Sequence, residues 1–200
     1  MNAGLILAAG ESRRMGSPKA LLEYQGETFL DRLVRLFSAV CSPVIVVTGA
    51  HAAEIQARAG QPCAFVWNGD YRSGQTSSLQ AGLRAVPAEA EGVLFTLVDH
   101  PAVSAESIAA LTPLPDSRGS MMNGRGPLLR VPRYQGRRGH PVWLSAALIP
   151  EFLALPATAA ARDVVRAHAE QTAFLDLDDP GIVADIDDPA AYRSLIEVQA

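Results

Sequence analysis

The sequence predicts an α/β protein with three layers, in which helices cover both faces of a mainly parallel, mixed sheet. Short apolar runs, typical of buried strands, alternate with segments whose apolar residues recur at helical spacing. The chain has 200 residues, of which 48% are hydrophobic, so it can bury one large core. No internal repeat or low-complexity linker divides it. We therefore expect a single domain over residues 1–200.

The first half of the chain contains strand-like runs with helices between them. Ala3–Ala9 is apolar throughout, as in a strand that is buried on both faces. A helix is expected over Phe29–Val40, because its apolar residues share one face, and Pro43 ends it. Further strands are expected at Val44–Thr48, Cys63–Trp67 and Gly92–Val98, and further helices at Ala52–Ala59, Thr76–Val86 and, capped by Ser104, up to Leu111.

The second half is less regular. Pro113–Gly126 is rich in Pro, Gly and Ser and is expected to be a loop. Asp188 and Pro189 form an N-cap followed by proline at the first helical position, which opens a last helix to about Val198. The other expectations are strands at Leu128–Val131 and Pro141–Leu144 around a loop at Arg133–Gly139, a helix at Arg162–Glu170, and late strands at Thr172–Leu177 and Gly181–Ile186.

Composition excludes several classes of protein. The net charge of −4 gives no reason to expect a nucleic acid or an anionic membrane as partner. No apolar run approaches the ~20 residues that a membrane span needs, and the first ten residues lack the basic start of a signal peptide. Cys41 and Cys63 provide neither a disulfide framework nor zinc-ligand spacing. We therefore expect a cytoplasmic protein.

A loop rich in glycine and basic residues follows the first strand. It runs from Gly10 to Lys19, and Lys19 is the single lysine of the chain, whose other basic residues are arginines. In open parallel sheets, ligands bind at the carboxyl ends of strands, where this loop and Asp99 are both expected. Backbone N–H groups of such a loop can approach phosphates closely. Neither the P-loop pattern nor the dinucleotide fingerprint is present, so we expect a different kind of nucleotide site.

The segment from Leu7 to Lys19, LAAGESRRMGSPK, resembles the signature loop LAAGxSxRMGxxK of the MobA-like nucleotidyltransferases. Further matches follow in the order of that family and span nearly the whole chain. They are the base-contacting segment from Asn68 through Gly74 and Ser78, the D-x-P metal motif at Asp99-His100-Pro101, the acceptor-side loop Gly136–Val142, and the late D-x-D-x-P element at Asp185–Pro189.

The resemblance implies a Rossmann-like, Mg²⁺-dependent transferase that moves NMP from an NTP to a phosphate and releases pyrophosphate. Ala9 stands where the guanylyl-transferring branch has a second glycine, so the chain is similar to the molybdenum cofactor cytidylyltransferase branch. The site residues implied are Arg14, Lys19 and Asp99 as catalytic; Leu7, Ala8, Ala9, Gly10, Arg14, Lys19, Asn68, Gly74 and Ser78 as nucleotide-binding; His140, Arg137 and Arg138 as acceptor-binding; and Asp99 and Asp187 as metal ligands.

The chemistry of these residue types agrees with that assignment. Nucleotidyl transfer needs positioning and charge neutralisation more than covalent catalysis. Mg²⁺ takes one or two carboxylates together with substrate phosphates, which Asp99 and Asp187 could supply from strand ends. Asp185 is the rival of Asp187, one pleat apart on the expected strand, and Asp188 is expected to be only a helix N-cap. Arg13 falls on a variable position of the signature and is expected either at the surface or behind the residues that contact phosphate.

Several points stay open at the level of sequence. The expected reaction joins CMP from CTP to the phosphate of molybdenum-molybdopterin, and the product could pass to a molybdoenzyme by transient contact. GTP, a sugar phosphate acceptor, or a non-catalytic cofactor chaperone are the alternatives. The role of His100, which departs from the residues common between Asp and Pro in the family, is open. The oligomeric state is open too. The function of Pro113–Gly126 is also open, because this segment could be a lid or a contact surface.

Overall fold

The structure is a computed structural model that describes residues 1–113, 126–156 and 159–197. Apart from its ends, the loop expected at Pro113–Gly126 lies outside the described residues. The strands are β1 (Asn2–Ala8), β2 (Glu23–Tyr24), β3 (Glu27–Thr28), β4 (Val44–Thr48), β5 (Ala64–Trp67), β6 (Gly92–Leu97), β7 (Leu129–Tyr134), β8 (Arg137–Arg138), β9 (Val142–Ser145) and β10 (Thr172–Asp176). The α-helices are α1 (Phe29–Ser38), α2 (Ala52–Arg58), α3 (Gln75–Leu83), α4 (Ala105–Leu111), α5 (Ile149–Ala154), α6 (Ala161–Ala167) and α7 (Pro189–Glu197).

One mixed sheet forms the centre of the protein. Its strand order is β10-β7-β9-β6-β1-β4-β5. The short strand β8 also belongs to this sheet and pairs with β7, outside that linear order. β1 pairs in parallel with β4 and β6, β4 with β5, and β7 with β10, whereas β9 is antiparallel to both β6 and β7. Because β1 pairs in parallel with β6, the carboxyl ends of these two strands open at the same edge of the sheet. The α/β fold with a mainly parallel mixed sheet is confirmed.

Helices cover both faces of the sheet. Alternate side chains of β1 point to opposite faces, and both sets are apolar, so both faces must be covered. Ile6 and Ala8 pack with α1, α4 and α7 on one face, in a core that also contains Phe29 and Phe37. Leu5 and Leu7 point to the opposite face and pack with α3, α5 and α6. Each strand of the sheet's centre is therefore buried on both sides, which explains its continuous apolar sequence.

The strand expected over Gly181–Ile186 is wrong. Residues Pro180–Val183 form a 3-10 helix, and its Asp179 side chain accepts a hydrogen bond from the Gly181 N–H at 2.8 Å. The other oxygen of Asp179 accepts from the Ser104 N–H at 2.9 Å and from the Ser107 hydroxyl at 2.6 Å. Asp179 therefore fastens this segment to the start of α4, and its backbone makes no ladder with the sheet.

The loop expected over Arg133–Gly139 is also wrong, because β7 continues to Tyr134 and turns back into β8. Gln135 and Gly136 carry φ values of +48° and +79°. Positive φ at both central residues is typical of a tight two-residue hairpin turn. The same tripeptide, Tyr-Gln-Gly, turns the small hairpin of β2 and β3 at residues 24–26, which the sequence analysis did not anticipate.

Candidate functional site

A cavity of about 480 Å³ opens at the carboxyl ends of β1 and β6. Of the residues expected to bind nucleotide, all but Asn68 line it. The lining includes Leu7, Ala8, Ala9, Gly10, Arg14, Lys19, Gly74 and Ser78, together with Asp99 at the end of β6 and Tyr71 and Gln75 opposite. We call this space the first cavity.

The loop after β1 folds back on itself so that both of its ends reach the first cavity. The Ser12 carbonyl accepts a hydrogen bond from the Met15 N–H at 2.9 Å, and the Ser12 hydroxyl accepts one from the Lys19 N–H at 3.1 Å. Gly16, with φ of +70°, takes a backbone conformation that favours glycine. A Cβ on Gly10 would meet no atom within 4 Å, so the backbone there is open to a ligand.

Lys19 lies between two carboxylates. Its Nζ atom is 3.1 Å from Asp99 Oδ2 and 2.6 Å from Asp187 Oδ1, and its side chain is only 13% exposed. Arg14 reaches Asp187 Oδ2 at 3.4 Å from a position that is 70% exposed. The structure thus brings together the four charged residues expected to act on phosphate and metal, although they are up to 173 residues apart in the chain.

The backbone explains why Asp187 arrives beside Asp99. The Ile186 N–H donates to the carbonyl of Asp99 at 2.9 Å, which holds the late segment against the end of β6. Asp188, which follows Asp187 in the chain, caps α7 by accepting hydrogen bonds from the N–H groups of Ala190 and Ala191, both at 2.9 Å. Asp185 is exposed. Asp187 therefore lies in an irregular connection between a 3-10 helix and α7, and the strand end expected for it is wrong.

The cations around Asp187 keep its carboxylate available as an anion. The hydrogen bond from Lys19, helped by the charge of Arg14, holds the pKa of Asp187 below its ordinary value. Asp99 Oδ1 is buried and has no hydrogen-bond partner among the described residues. A buried carboxylate oxygen without a partner suits a divalent cation. The described residues contain no group of three or more His, Cys, Asp or Glu side chains that could hold a metal, so a cation here would need oxygens from a substrate.

Glu11 and Arg13 have a different role from Lys19. Glu11 accepts hydrogen bonds from Arg13 and, at 3.0 Å, from Arg72, and both guanidinium groups lower the pKa of Glu11. Arg13 is highly exposed, as expected for a variable position of the signature. The ion pair with Arg72 joins the loop after β1 to the turn that carries Tyr71. This link across the mouth of the first cavity was missed, because nothing in the spacing of Glu11 and Arg72 indicates it.

Asn68 holds Ser78 in place and does not line the first cavity. Its amide nitrogen donates to the hydroxyls of Ser77 and Ser78, both at 3.0 Å, and its amide oxygen accepts from the Asp70 N–H at 3.0 Å. The side chain is buried and its polar atoms are already engaged. Gly74, with φ of +113°, is the N-cap of α3 and lines the cavity with Gln75 and Ser78.

Two histidines lie beyond Asp99. His100 Nε2 is 3.8 Å from Asp99 Oδ1, and the ring centroids of His100 and His140 are 4.9 Å apart. Burial lowers the pKa of His100. Burial, together with the neighbouring His100, lowers the pKa of His140 to about 3, so its ring is neutral at physiological pH. The His140 ring also packs edge-on against Phe95 at 5.2 Å.

His140 and Arg138 line a second cavity of about 450 Å³, whereas Arg137 does not. Both arginines are exposed on β8, but only the Arg138 guanidinium lies over the Phe174 ring, 4.7 Å from its centroid. Gln75 lines the first and the second cavity. Sequence reasoning missed the remaining lining of the second cavity, because it comes from the apolar faces of strands and from α6, which carry no motif.

The fold and the first cavity define a Rossmann-like nucleotidyltransferase: a mainly parallel sheet with a glycine-rich loop, a lysine and carboxylates at the ends of its strands. The family model of the MobA-like NTP transferase domain matches residues 4–172. The chain belongs to this family. The match confirms the resemblance seen in the sequence, and it ends before Asp187.

Individual relatives carry different names. The chain is 34% identical over 188 residues to nicotine blue oxidoreductase of Paenarthrobacter nicotinovorans, covering 92% of this chain and 91% of that protein. It is 26% identical over 187 residues to the molybdenum cofactor cytidylyltransferase of Escherichia coli K12, covering 92% and 90%. Other relatives are named probable molybdenum cofactor guanylyltransferases. The names of these relatives therefore differ on both the nucleotide and the reaction.

Among solved structures, Rv0371c of Mycobacterium tuberculosis H37Rv superposes with a TM-score of 0.83 at 26% identity, covering 98% of this chain and 97% of that one. A second structure of Rv0371c is a complex with manganese. In the part of the chain that the structure describes, no helix is long and apolar enough to cross a membrane.

Proposed function

We propose that this protein transfers CMP from CTP to the phosphate of molybdenum-molybdopterin and releases pyrophosphate. The observation that carries the proposal is the placement of Lys19 between Asp99 and Asp187, beside an open glycine loop at the carboxyl ends of β1 and β6. Membership of a nucleotidyltransferase family and the cytidylyltransferase of E. coli as a full-length relative support it.

In this reaction an oxygen of the acceptor phosphate attacks the α-phosphorus of CTP, and the bond from that phosphorus to the bridging oxygen of the β-phosphate breaks. Negative charge builds on the transferred group and on the departing pyrophosphate. Arg13 also lines the first cavity but pairs with Glu11, whereas the Lys19 ammonium and the Arg14 guanidinium can neutralise this charge. No general base is needed, because a phosphate monoester is already anionic at neutral pH.

Asp99 and Asp187 are the residues that would hold a divalent cation, which supplies charge neutralisation and orientation of the phosphates when bound. The buried, unpartnered Oδ1 of Asp99 supports this assignment, as does the lowered pKa of Asp187, which keeps that carboxylate anionic. The identity of the cation as Mg²⁺ remains part of the proposal. The manganese complex of Rv0371c is consistent with a divalent ion in this fold.

The backbone around the nucleotide site supports a base and sugar pocket on the α3 side. Gly10 leaves room for phosphate beside the strand end, and Ser78, fixed by Asn68, faces the same space. We assign CTP as the donor because Ala9 fills the position where the guanylyl-transferring branch has glycine. GTP, and a different phosphorylated acceptor, are the alternatives within this chemistry.

The deciding experiment measures pyrophosphate release from CTP, GTP and ATP with molybdenum-molybdopterin, in the presence of Mg²⁺, Mn²⁺ or EDTA. We expect release with CTP that depends on the metal. A parallel arm follows the oxidation and reduction of nicotine blue, because one full-length relative is named nicotine blue oxidoreductase. Release with GTP alone would overturn the choice of base. Acceptor binding without release from any nucleotide would favour a cofactor chaperone, and turnover of nicotine blue would favour a redox enzyme.

A further inference from the structure

Ser12 has a backbone conformation that an L-amino acid rarely adopts. Its φ is +51°, in the left-handed region, and it belongs to the loop that lines the first cavity. Such a conformation costs free energy and persists only where the surrounding contacts hold it in place. The peptides on both sides of the Ser12 Cα atom must therefore be fixed by neighbouring groups.

The contacts that fix Ser12 come from two different elements. On its carboxyl side they come from its own loop, because the Ser12 carbonyl and hydroxyl accept hydrogen bonds from the N–H groups of Met15 and Lys19. On its amino side, His51 Nε2 lies 3.2 Å from the carbonyl oxygen of Glu11, in the peptide that joins Glu11 to Ser12. A carbonyl oxygen can only accept, so the Nε2 atom carries a hydrogen and donates it.

His51 lies in the connection between β4 and α2, which also holds a second carbonyl of the loop. The Ala50 N–H donates to the Ala9 carbonyl at 3.2 Å. Gly49 permits this close approach, because a Cβ there would lie 2.5 Å from the same Ala9 oxygen. His51 is partly buried, and neither it nor Ala50 lines the first cavity. The carbonyls of Ala9 and Glu11 are therefore directed at residues outside that cavity.

The N–H groups opposite these two carbonyls are free to bind a ligand. In a planar trans peptide the N–H points away from the C=O, so the N–H groups of Gly10 and Ser12 point away from the β4–α2 connection. Both residues line the first cavity, and within the described ranges neither N–H donates a hydrogen bond. Backbone N–H groups of such a loop form a concavity that binds phosphate. The direction of the Ser12 N–H is set by the peptide that His51 holds.

We propose that His51 is a positioning residue for the reaction: by donating to the Glu11 carbonyl, it holds the Glu11–Ser12 peptide so that the Ser12 N–H contacts a phosphate of the nucleotide. The inference rests on the proposed function and adds a residue to its phosphate site. Without the imidazole donor, rotation of this peptide would relieve the positive φ of Ser12 and turn the carbonyl oxygen towards the phosphates. That oxygen is partly negative and would repel a phosphate where the N–H attracts it.

The test measures the affinity of the full chain for tripolyphosphate, which has the phosphates of an NTP without its base or sugar. Isothermal titration calorimetry at constant Mg²⁺ compares the wild type with His51→Ala, His51→Gln and His51→Asn. We expect the affinity to fall by about tenfold in His51→Ala, as on loss of one hydrogen bond to a charged ligand. His51→Gln should recover most of this loss, because its amide nitrogen reaches the position of Nε2, whereas that of asparagine reaches only the position of Nδ1.

His168→Ala is the matched control. His168 also makes a side-chain hydrogen bond, to Glu151 at 2.7 Å, but neither residue lines a cavity described above. Its replacement should leave the affinity for tripolyphosphate unchanged. Nitrogen NMR of the imidazole gives a second readout, since neutral His51 should carry its hydrogen on Nε2.

The inference is overturned if the wild type does not bind tripolyphosphate, if His51→Ala binds it equally well, or if His51→Gln binds it no better than His51→Asn. A hydrogen on Nδ1 of neutral His51 overturns it as well. Melting temperatures show which variants retain the fold, and if His51→Ala does not, the comparison of His51→Gln with His51→Asn decides.

Pyrophosphate release separates this inference from the proposed function. If His51→Ala releases pyrophosphate from CTP at the rate of the wild type, the proposed function stands and the inference fails. If tripolyphosphate binding depends on His51 while no nucleotide releases pyrophosphate, the role of His51 at a phosphate site stands and the proposed function fails.

Discussion

The two cavities differ in how their charges are arranged. In the first, the cations Lys19 and Arg14 are already paired with Asp99 and Asp187, at distances from 2.6 to 3.4 Å. In the second, arginines surround an apolar floor, and none of the described residues that line the space carries a carboxylate. Balanced charges hold side chains in fixed positions, whereas unbalanced charges attract a ligand. The contrast separates a first cavity whose charged side chains hold one another in place from a second cavity whose arginines line an apolar space.

Replacing Lys19 with alanine should have the largest effect. It removes the ammonium group that neutralises phosphate charge, so turnover should fall by roughly 10²–10³, as on loss of one preorganised charge-stabilising donor. The measurement is pyrophosphate release with CTP, metal and acceptor. Turnover equal to that of the wild type would show that Lys19 takes no part in the reaction.

Gly139→Ala should lower the free energy of unfolding by about 1–3 kcal/mol, as overpacking does. A Cβ at Gly139 would lie 2.0 Å from the carbonyl oxygen of Ile182, so the β8–β9 connection must shift away from the late segment. Urea unfolding measures the effect. Gly10→Ala is the control, because a Cβ there meets nothing within 4 Å. Equal stability of the two variants would show that the connection carrying His140 is not held tightly.

The contributions of His140 and Asp187 to the free energy of unfolding should be lost in different pH ranges. The pKa of His140 is lowered to about 3, so between pH 6.5 and that value the unfolded chain takes up a proton that the folded protein does not. Stability from this group is present above pH 6.5 and is lost as the pH falls. Its share of the loss between pH 7 and pH 5 should be about 1–2 kcal/mol.

His140→Gln isolates that contribution in urea unfolding at pH 7 and pH 5, because its stability should change less between the two than that of the wild type. The pKa of Asp187 is also lowered, but from an ordinary value near 3.8, so its contribution is lost only at more acidic pH. A wild type and variant with parallel pH dependence would mean that His140 is protonated in the folded protein.

Arg14→Gln should have the smallest effect on turnover, about tenfold or less. Its guanidinium is largely exposed and 3.4 Å from Asp187, so water screens much of its charge. Raising the salt concentration should reduce the difference between this variant and the wild type, whereas the deficit of Lys19→Ala should persist. A loss as large as that of Lys19→Ala would show that exposure does not separate the two cations.

Sequence predicted the parallel part of the fold well, because the strands there are buried on both faces and read as apolar runs. Val44–Thr48 has the expected bounds, and β1 and β6 differ from expectation by a residue or two. Asp179 explains why the late segment was misread. The apolar residues of Gly181–Ile186 have the pattern of a buried strand. The Asp179 side chain, however, binds Ser104, which lies 75 residues earlier, and this contact keeps the segment from forming a ladder with the sheet.

The sequence predicted the parts of the candidate site that belong to a motif. It did not predict the parts that are formed only by the packing of distant segments. Lys19, Arg14 and Asp99 were expected together, and Asp187 was expected beside them although from the wrong element. The Tyr-Gln-Gly turns could have been recognised, because positive φ at both central positions is a known hairpin requirement. Arg162, Arg166 and Phe95 had no such signal. Only the folded sheet shows that they surround one space.

The hydrogen bond from Ile186 to Asp99 has a consequence for how the protein is made. Lys19 and Asp99 are synthesised before the second acid, Asp187, which follows almost ninety residues after Asp99. The nascent chain therefore carries an incomplete charge cluster until the segment with Asp187 has been made. Cleavage ahead of Ile186 would leave the sheet whole and return the protein to that unfinished state.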